Sequence, residues 1–232
     1  MRNEDLPIIR ELPLFTAMEE ANFAELTQAA YFQRFPPGVQ LIAENEKADF
    51  LHIVVEGTVE LIGTSNGRET VMELVHPVET FILAAVVRDA VHLMSGRTVE
   101  RCQILMIPSQ SIRDIFARDA GFARSIVSEL SCRYRAMVKL LKNQKLRTAV
   151  ERLANYLLCL EAEQGGTGRM TLPMEKQVLA SLLGTTPENL SRAFNTLAPY
   201  GVTVEGPEVR LAKRADLETP AKPNLLIDDP HV

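Results

Sequence analysis

Residues 174–197 read MEKQVLASLLGTTPENLSRAFNTL. Val178, Leu179, Leu182 and Leu183 recur at helical spacing and predict a helix over 175–183. Gly184 permits a tight turn. Thr186 is a good N-cap and Pro187 suits the first position of a second helix. In that helix Leu190, Phe194 and Leu197 fall on one side at spacings of four and three, and Glu188, Ser191, Arg192 and Asn195 on the other. A helix, a glycine turn and a second helix with polar residues near its start make a helix-turn-helix. Val202-Thr203-Val204, the turn Glu205-Gly206-Pro207 and Val209-Arg210-Leu211 then read as a hairpin, which would make the motif winged.

The outer face of the second helix has the chemistry for reading bases. A guanidinium bridges the O6 and N7 acceptors of guanine, a carboxylate accepts from the cytosine amino group, and a hydroxyl or its methylene meets thymine. Glu188 and Arg192 stand four apart, so each can also hold the other. Alone, such a pair is an ordinary surface ion pair; between a glycine turn, a cap and a wing it favours base reading. Lys176, Gln177, Thr185 and Thr186 are candidate phosphate contacts, which position a protein without specifying sequence.

Upstream, residues 122–145 contain no Gly or Pro, and Val127, Leu130, Tyr134, Met137 and Leu141 alternate spacings of three and four. Arg124, Arg133, Arg135, Lys139, Lys142, Lys145 and Arg147 occupy the other faces. Two readings fit: a long amphipathic helix packed on its own domain, or the a/d seam of a two-helix dimer. The narrowness of the apolar stripe favours the seam. A second helical block covers 148–164, Gly165-Gly166-Thr167-Gly168 is a loop, and residues 169–173 look like a short strand.

Toward the N-terminus the period changes. Phe15, Met18, Phe23, Leu26 and Ala30 predict short helices over 12–32, and Phe35-Pro36-Pro37-Gly38 breaks the chain. From Val39 to Ile107 there follow short β-branched or alternating runs at 39–42, 50–55, 58–62, 70–74, 98–99 and 103–107, with Gly57 after the second and Thr64-Ser65-Asn66-Gly67 as a hairpin signal. Such runs predict an all-β barrel or sandwich ending near Pro108. The fold class is therefore α+β, with expected divisions at residues 1–108 (β-rich domain), 109–146 (dimerisation helix region), 147–218 (winged helix-turn-helix) and 219–232. The last is a tail expected to fray because of its prolines.

The 232 residues suit two domains. With 46% hydrophobic and 24% charged residues the chain is ordinary globular material, not a disordered one. A net charge of -5 excludes a generally basic nucleic-acid coat but not a local basic face. No apolar run reaches the ~18 residues of a membrane helix. The first residues lack the apolar core of a signal peptide, and Cys102, Cys132 and Cys159 form no disulfide framework, so a reducing cytoplasm is expected. No Ser-His-Asp order, P-loop or HExxH is present, and His52, His76, His92 and His231 have no metal-site spacing, so no enzyme is expected.

The run Leu179-Ala180-Ser181-Leu182-Leu183-Gly184-Thr185-Thr186-Pro187-Glu188-Asn189-Leu190-Ser191-Arg192 resembles the helix-turn-helix of the Crp/Fnr transcription regulators. The layout over 13–212 is similar as well: a β-roll of the cyclic-nucleotide-binding kind, a long dimer helix and a winged helix-turn-helix. The resemblance implies a homodimer on double-stranded DNA, RNA polymerase as a partner, and activation as the more frequent outcome. Glu188-x-x-Ser191-Arg192 is similar to the Fnr branch, which implies a palindrome of TTGAT-like half-sites. Glu188 would take the cytosine side of the G·C pair, Arg192 the guanine and Ser191 a thymine.

The family's nucleotide cassette places Gly-Glu after a phenylalanine and an Arg-Ser or Arg-Thr before a strand. Here Phe81 is followed by Ile82-Leu83-Ala84-Ala85, and the arginine pair falls at Ala90-Val91 or, in another alignment, at Arg97-Thr98. Neither alignment restores the carboxylate, so cAMP is not expected. The Fnr branch's clustered cysteines are missing too, so neither is an iron–sulfur cluster. An apolar pocket with Phe81, Leu83, His92 and Met94 remains as the expected effector site. Haem, iron, nitric oxide or redox are its candidates, with His92 or His76 as an axial ligand; a surface or hydrogen-bonded role is the plainer reading of each histidine. The alternative function is a ligand- or haem-binding regulatory module acting through protein contacts.

Overall fold

The structure, a computed structural model, describes residues 3–229, so His231 lies outside it. The packing divides the chain into two units, residues 1–133 and 134–232.

A 3-10 turn (Asn3–Asp5) leads into α1 (Leu6–Arg10) and, through successive turns, α2 (Glu20–Ala29). Eight strands follow: β1 (Tyr31–Phe35), β2 (Gln40–Ile42), β3 (Phe50–Glu56), β4 (Val59–Ser65), β5 (Arg68–Val75), β6 (Thr80–Phe81), β7 (Ser95–Thr98) and β8 (Cys102–Pro108), with α3 (Leu83–Arg88) between β6 and β7. They form two antiparallel four-stranded sheets, ordered β1-β8-β3-β6 and β2-β7-β4-β5. This is the expected β-roll. Strand periodicity gives it two cores. Leu105 and Ile107 of β8 join Phe15, Phe23 and Leu26 from the helical side, while Cys102 and Ile104 on the other face join Val54, Val59, Leu61 and Val75 inside the roll. Gly57 turns β3 into β4 at φ +85°, and a Cβ there would collide with the Arg101 carbonyl.

Residues 12–32 differ from the helices expected of them. Only α2 is an α-helix within that range, and Tyr31-Phe32 open a strand that pairs with β8, Phe32 opposite Leu105. The edge of β8 offered a ladder partner, and aromatic residues suit a pleated surface better than a helix end. The N-terminal unit also runs past Pro108. Ile112 and Ile115 of α4 (Ser109–Arg118) and Phe122 and Ile126 of α5 (Ala120–Leu146) are buried in its core. Asp119 caps the join, accepting from the backbone N–H groups of Phe122 (2.8 Å) and Glu19 (2.9 Å) and from Asn22 (2.9 Å). Burial alone would raise its pKa, but these bonds win and hold it below the ordinary carboxylate value.

The C-terminal unit contains the rest of α5, then α6 (Ala149–Glu163), β9 (Arg169–Thr171), α7 (Lys176–Leu182), α8 (Pro187–Leu197), β10 (Val202–Glu205) and β11 (Glu208–Leu211). The sheet order β10-β11-β9 makes the expected wing, with residues 169–171 as its third strand. Thr148 and Glu151 close a capping box on α6. The described part of the segment expected to fray is largely helical instead: it begins inside α9 (Arg214–Ala221), which buries Leu217 and Ala221, and α10 (Leu225–Asp228) follows, while 230–232 lie outside the described residues. Asn155 donates to the Ala221 carbonyl at 2.6 Å, and Arg147 grips both carboxylate oxygens of Asp228 at 2.6 Å. Partners far away in sequence hold a segment whose own composition argued for disorder. Among the described residues no helix is long and apolar enough to cross a membrane.

Candidate nucleic-acid interface

α7 and α8 face each other across buried Leu179, Ala180, Leu183, Leu190, Phe194 and Leu197. The turn between them contains Gly184 at φ +60°, where a Cβ would strike the Gln144 side chain. Thr186 caps α8, its hydroxyl accepting from the Asn189 N–H at 3.3 Å, and Pro187 takes the first helical position.

This local frame turns Glu188, Ser191, Arg192 and Asn195 outward together; all four are exposed. Lys176 and Gln177, at the start of α7, and Thr186 are exposed too, and Thr185 is half-buried. Glu188 is held below the ordinary carboxylate range by its own backbone N–H, then by the Thr186 hydroxyl and the Arg192 charge, so it is a ready acceptor. Among the described residues neither Glu188 nor Arg192 closes an ion pair, which leaves both groups available. The Ser191 hydroxyl donates to the Pro187 carbonyl at 3.0 Å, so it offers a base its lone pairs and methylene rather than its proton. Lys176 rests 5.8 Å over the Phe194 ring, which places its charge beside the second helix.

One residue of this site was not anticipated. Arg152 of α6 is 8% exposed and donates to the carbonyls of Leu183 (2.7 Å) and Gly184 (3.3 Å), and also to those of Arg147 (2.6 Å) and Gln144 (3.4 Å). Its guanidinium thus ties the end of α5 to the helix-turn-helix turn through two helix C-termini, where the dipole favours a cation. The available signal was a lone arginine in the apolar face of 150–158.

The long helix is continuous over 27 residues. Val127, Tyr134, Met137 and Leu141 are exposed, whereas Leu130 leans on the core of its own unit. Two cations read as part of the basic face serve structure instead. Arg133 bonds Glu73, Glu129 and the Thr80 carbonyl, and Arg147 bonds Asp228.

The expected effector residues do not converge. Phe81 stacks on His52 inside the roll at 5.1 Å and Met94 packs half-buried on the same core, but Leu83 belongs to the other core. His92 is buried and lines a cavity with His52, while His76 is exposed in the turn after β5. Among the described residues no three His, Cys, Asp or Glu side chains stand close enough to hold a metal ion. Arg97-Thr98 is no free phosphate clamp: Arg97 is bonded to Glu60 at 2.6 Å, and Thr98 donates to the Pro36 carbonyl. The residues present do not fit a cyclic nucleotide, because no cation of the cassette is free to meet its phosphate.

Comparison with known proteins agrees with this architecture. A cyclic nucleotide-binding domain matches residues 32–119 and a Crp-like helix-turn-helix domain residues 151–219. The chain belongs to the Crp/Fnr family. A CRP-like cAMP-activated global transcriptional regulator of Mycobacterium tuberculosis is 24% identical over 220 residues, covering 90% of this chain and 98% of that protein. The cyclic AMP receptor protein of Thermus thermophilus is 29% identical, covering 86% and 93%. The structure of FixK2 from Bradyrhizobium japonicum matches the fold with a TM-score of 0.68 at 23% identity, covering 82% of this chain and 96% of its own. The chain is therefore a Crp/Fnr-type transcription regulator with a DNA-binding helix-turn-helix, in a family of regulators rather than enzymes.

Proposed function

We propose that this regulator works in the cytoplasm as a homodimer on a palindrome of TTGAT-like half-sites, with RNA polymerase as its partner and activation as its output. The observation that carries the reading is the exposed outer face of α8, where Glu188, Ser191 and Arg192 bond only within their own helix start or not at all. The dimer is supported by exposed Val127, Tyr134, Met137 and Leu141 along α5. Two-fold symmetry would put the reading helices one DNA turn, roughly 34 Å, apart. Thr185, Thr186, Lys176, Gln177 and Asn195 would contact backbone or neighbouring bases.

The effector is something other than cAMP, although relatives carry that ligand in their names. Arg97 is already committed to Glu60, and residues 82–85 supply no carboxylate for a ribose. An effector acts by binding one of two dimer states more tightly.

Binding assays with the palindrome and a scrambled duplex, across a salt series, test this. The expected result is specific, salt-dependent binding. Arg192→Ala should lose about 1–3 kcal/mol of preference for the guanine half-site position, the worth of one bidentate contact. An Arg192→Ala protein that still discriminates as well as the wild type would remove Arg192 from the reading set.

A further inference from the structure

The roll contains a cavity of about 370 Å3 that shares only His92 with the expected effector pocket. His52, His92, Glu46 and Asp49 line it together with the rings of Phe35 and Phe50. Each imidazole is 4% exposed, and the Nδ1 of each has no hydrogen-bond partner. Buried polar atoms without partners are costly and uncommon in a folded chain, so two of them in one cavity wall call for a ligand.

The state of these groups selects the ligand. The Phe50 carbonyl pulls toward the charged form of the His52 ring, whose Nδ1 has no partner. Burial and the neighbouring His92 push the His52 pKa down to about 4. Burial also lowers that of His92, against the pull of Glu46 and Asp49. At neutral pH the wall therefore presents uncharged imidazoles beside two carboxylates. Neither carboxylate has an ion-pair partner among the described residues, and the wall's Lys47 is engaged with Asp89 at 3.3 Å. An anion would meet two negative charges and no free cation. A metal ion would find no three ligands within reach.

We propose that this cavity binds a small organic cation, an amine or guanidinium compound, whose N–H groups donate to Nδ1 of His52 and His92 and whose charge is met by Glu46 and Asp49. Phe35 and Phe50 offer apolar and π surface for its hydrocarbon or planar part. The inference rests on reading the N-terminal unit as the sensing half, but its binding test needs no DNA, so the two can fail separately.

Calorimetric titration of the full chain with agmatine, putrescine and methylguanidine, beside succinate and Zn2+, tests it. At least one cation should bind saturably and succinate should not. The double substitution Glu46→Gln and Asp49→Asn, both at exposed positions, should keep the melting temperature and weaken the cation by about tenfold, as loss of a charge-assisted hydrogen bond does. His92→Leu should weaken it similarly. Silence of all three cations, or equal affinity in both variants, would overturn the proposal. So would Zn2+ binding that is lost in His92→Leu while the cations give no heat. Cation binding that leaves palindrome affinity unchanged would uphold the site and deny it the role of effector.

Discussion

Arg152 makes the sharpest demand at the scale of single residues. A guanidinium buried among four carbonyls, with no carboxylate paired to it among the described residues, is tolerable only because helix C-termini supply negative potential. Desolvation lowers its pKa from the usual arginine value, yet it remains a cation in any ordinary buffer. Lysine has a point charge and cannot fork across two helix ends. Arg152→Lys should therefore destabilise the C-terminal unit by about 3 kcal/mol, in the range for breaking a buried charged network. It should also weaken palindrome binding, although Arg152 touches no base. Denaturant unfolding beside a DNA titration measures both, and unchanged stability would show that the carbonyls find other partners. The cap and start of α8 were legible, since Thr186 and Pro187 are neighbours and Glu188 and Arg192 follow within two helix turns, so the pattern is local. Arg152 was not, because its partners lie up to 32 residues away.

Among the elements, α5 shows how far a periodic pattern can be trusted. The spacing of three and four predicted a helix over 122–145, and the observed helix spans Ala120–Leu146. The pattern could not say what each apolar residue meets. Leu130 meets its own core, while Tyr134 at 72% and Met137 at 59% exposure stand mostly outside any core. Burial of such side chains contributes about 1.5–3 kcal/mol each. Replacing Tyr134 and Met137 together by Glu should give a folded monomer that binds the palindrome poorly, seen by sedimentation against the wild type. A double variant that stays dimeric would move the seam elsewhere. β1 and the C-terminal helices were misread for a related reason. Tyr31–Phe35 became a strand because β8 offered an edge, and α9 became ordered because α6 offered a face for Leu217 and Ala221.

For the whole molecule, each unit has its own core and its own acid-sensitive carboxylate. Asp119 serves the N-terminal unit and Glu151 the C-terminal one. The Lys222 ammonium, then the Thr148 N–H, hold Glu151 down to about 2 against an ordinary 4.5. A carboxylate lowered in the folded state gives stability that is complete above its unfolded pKa and lost as pH falls through the folded one. The C-terminal unit should therefore lose stability between about pH 4.5 and 2, and Glu151→Gln should flatten that part of the curve. Denaturation measured across this range checks the slope; an unaltered slope in Glu151→Gln would assign the acid limb to other carboxylates. By itself the sequence determined the roll, the long helix and the winged reading head, because strand alternation, helical spacing, caps and glycine turns are written in neighbouring residues. It also determined the family, and which polar residues share the outer face of α8. Only the tertiary structure decided that Arg97 is spent on Glu60, that Arg147 and Asp228 tie down the tail, and that His52 and His92 share a cavity. Those facts join residues about 37 to 81 positions apart, and such pairings are set by how the chain packs, which no local pattern encodes.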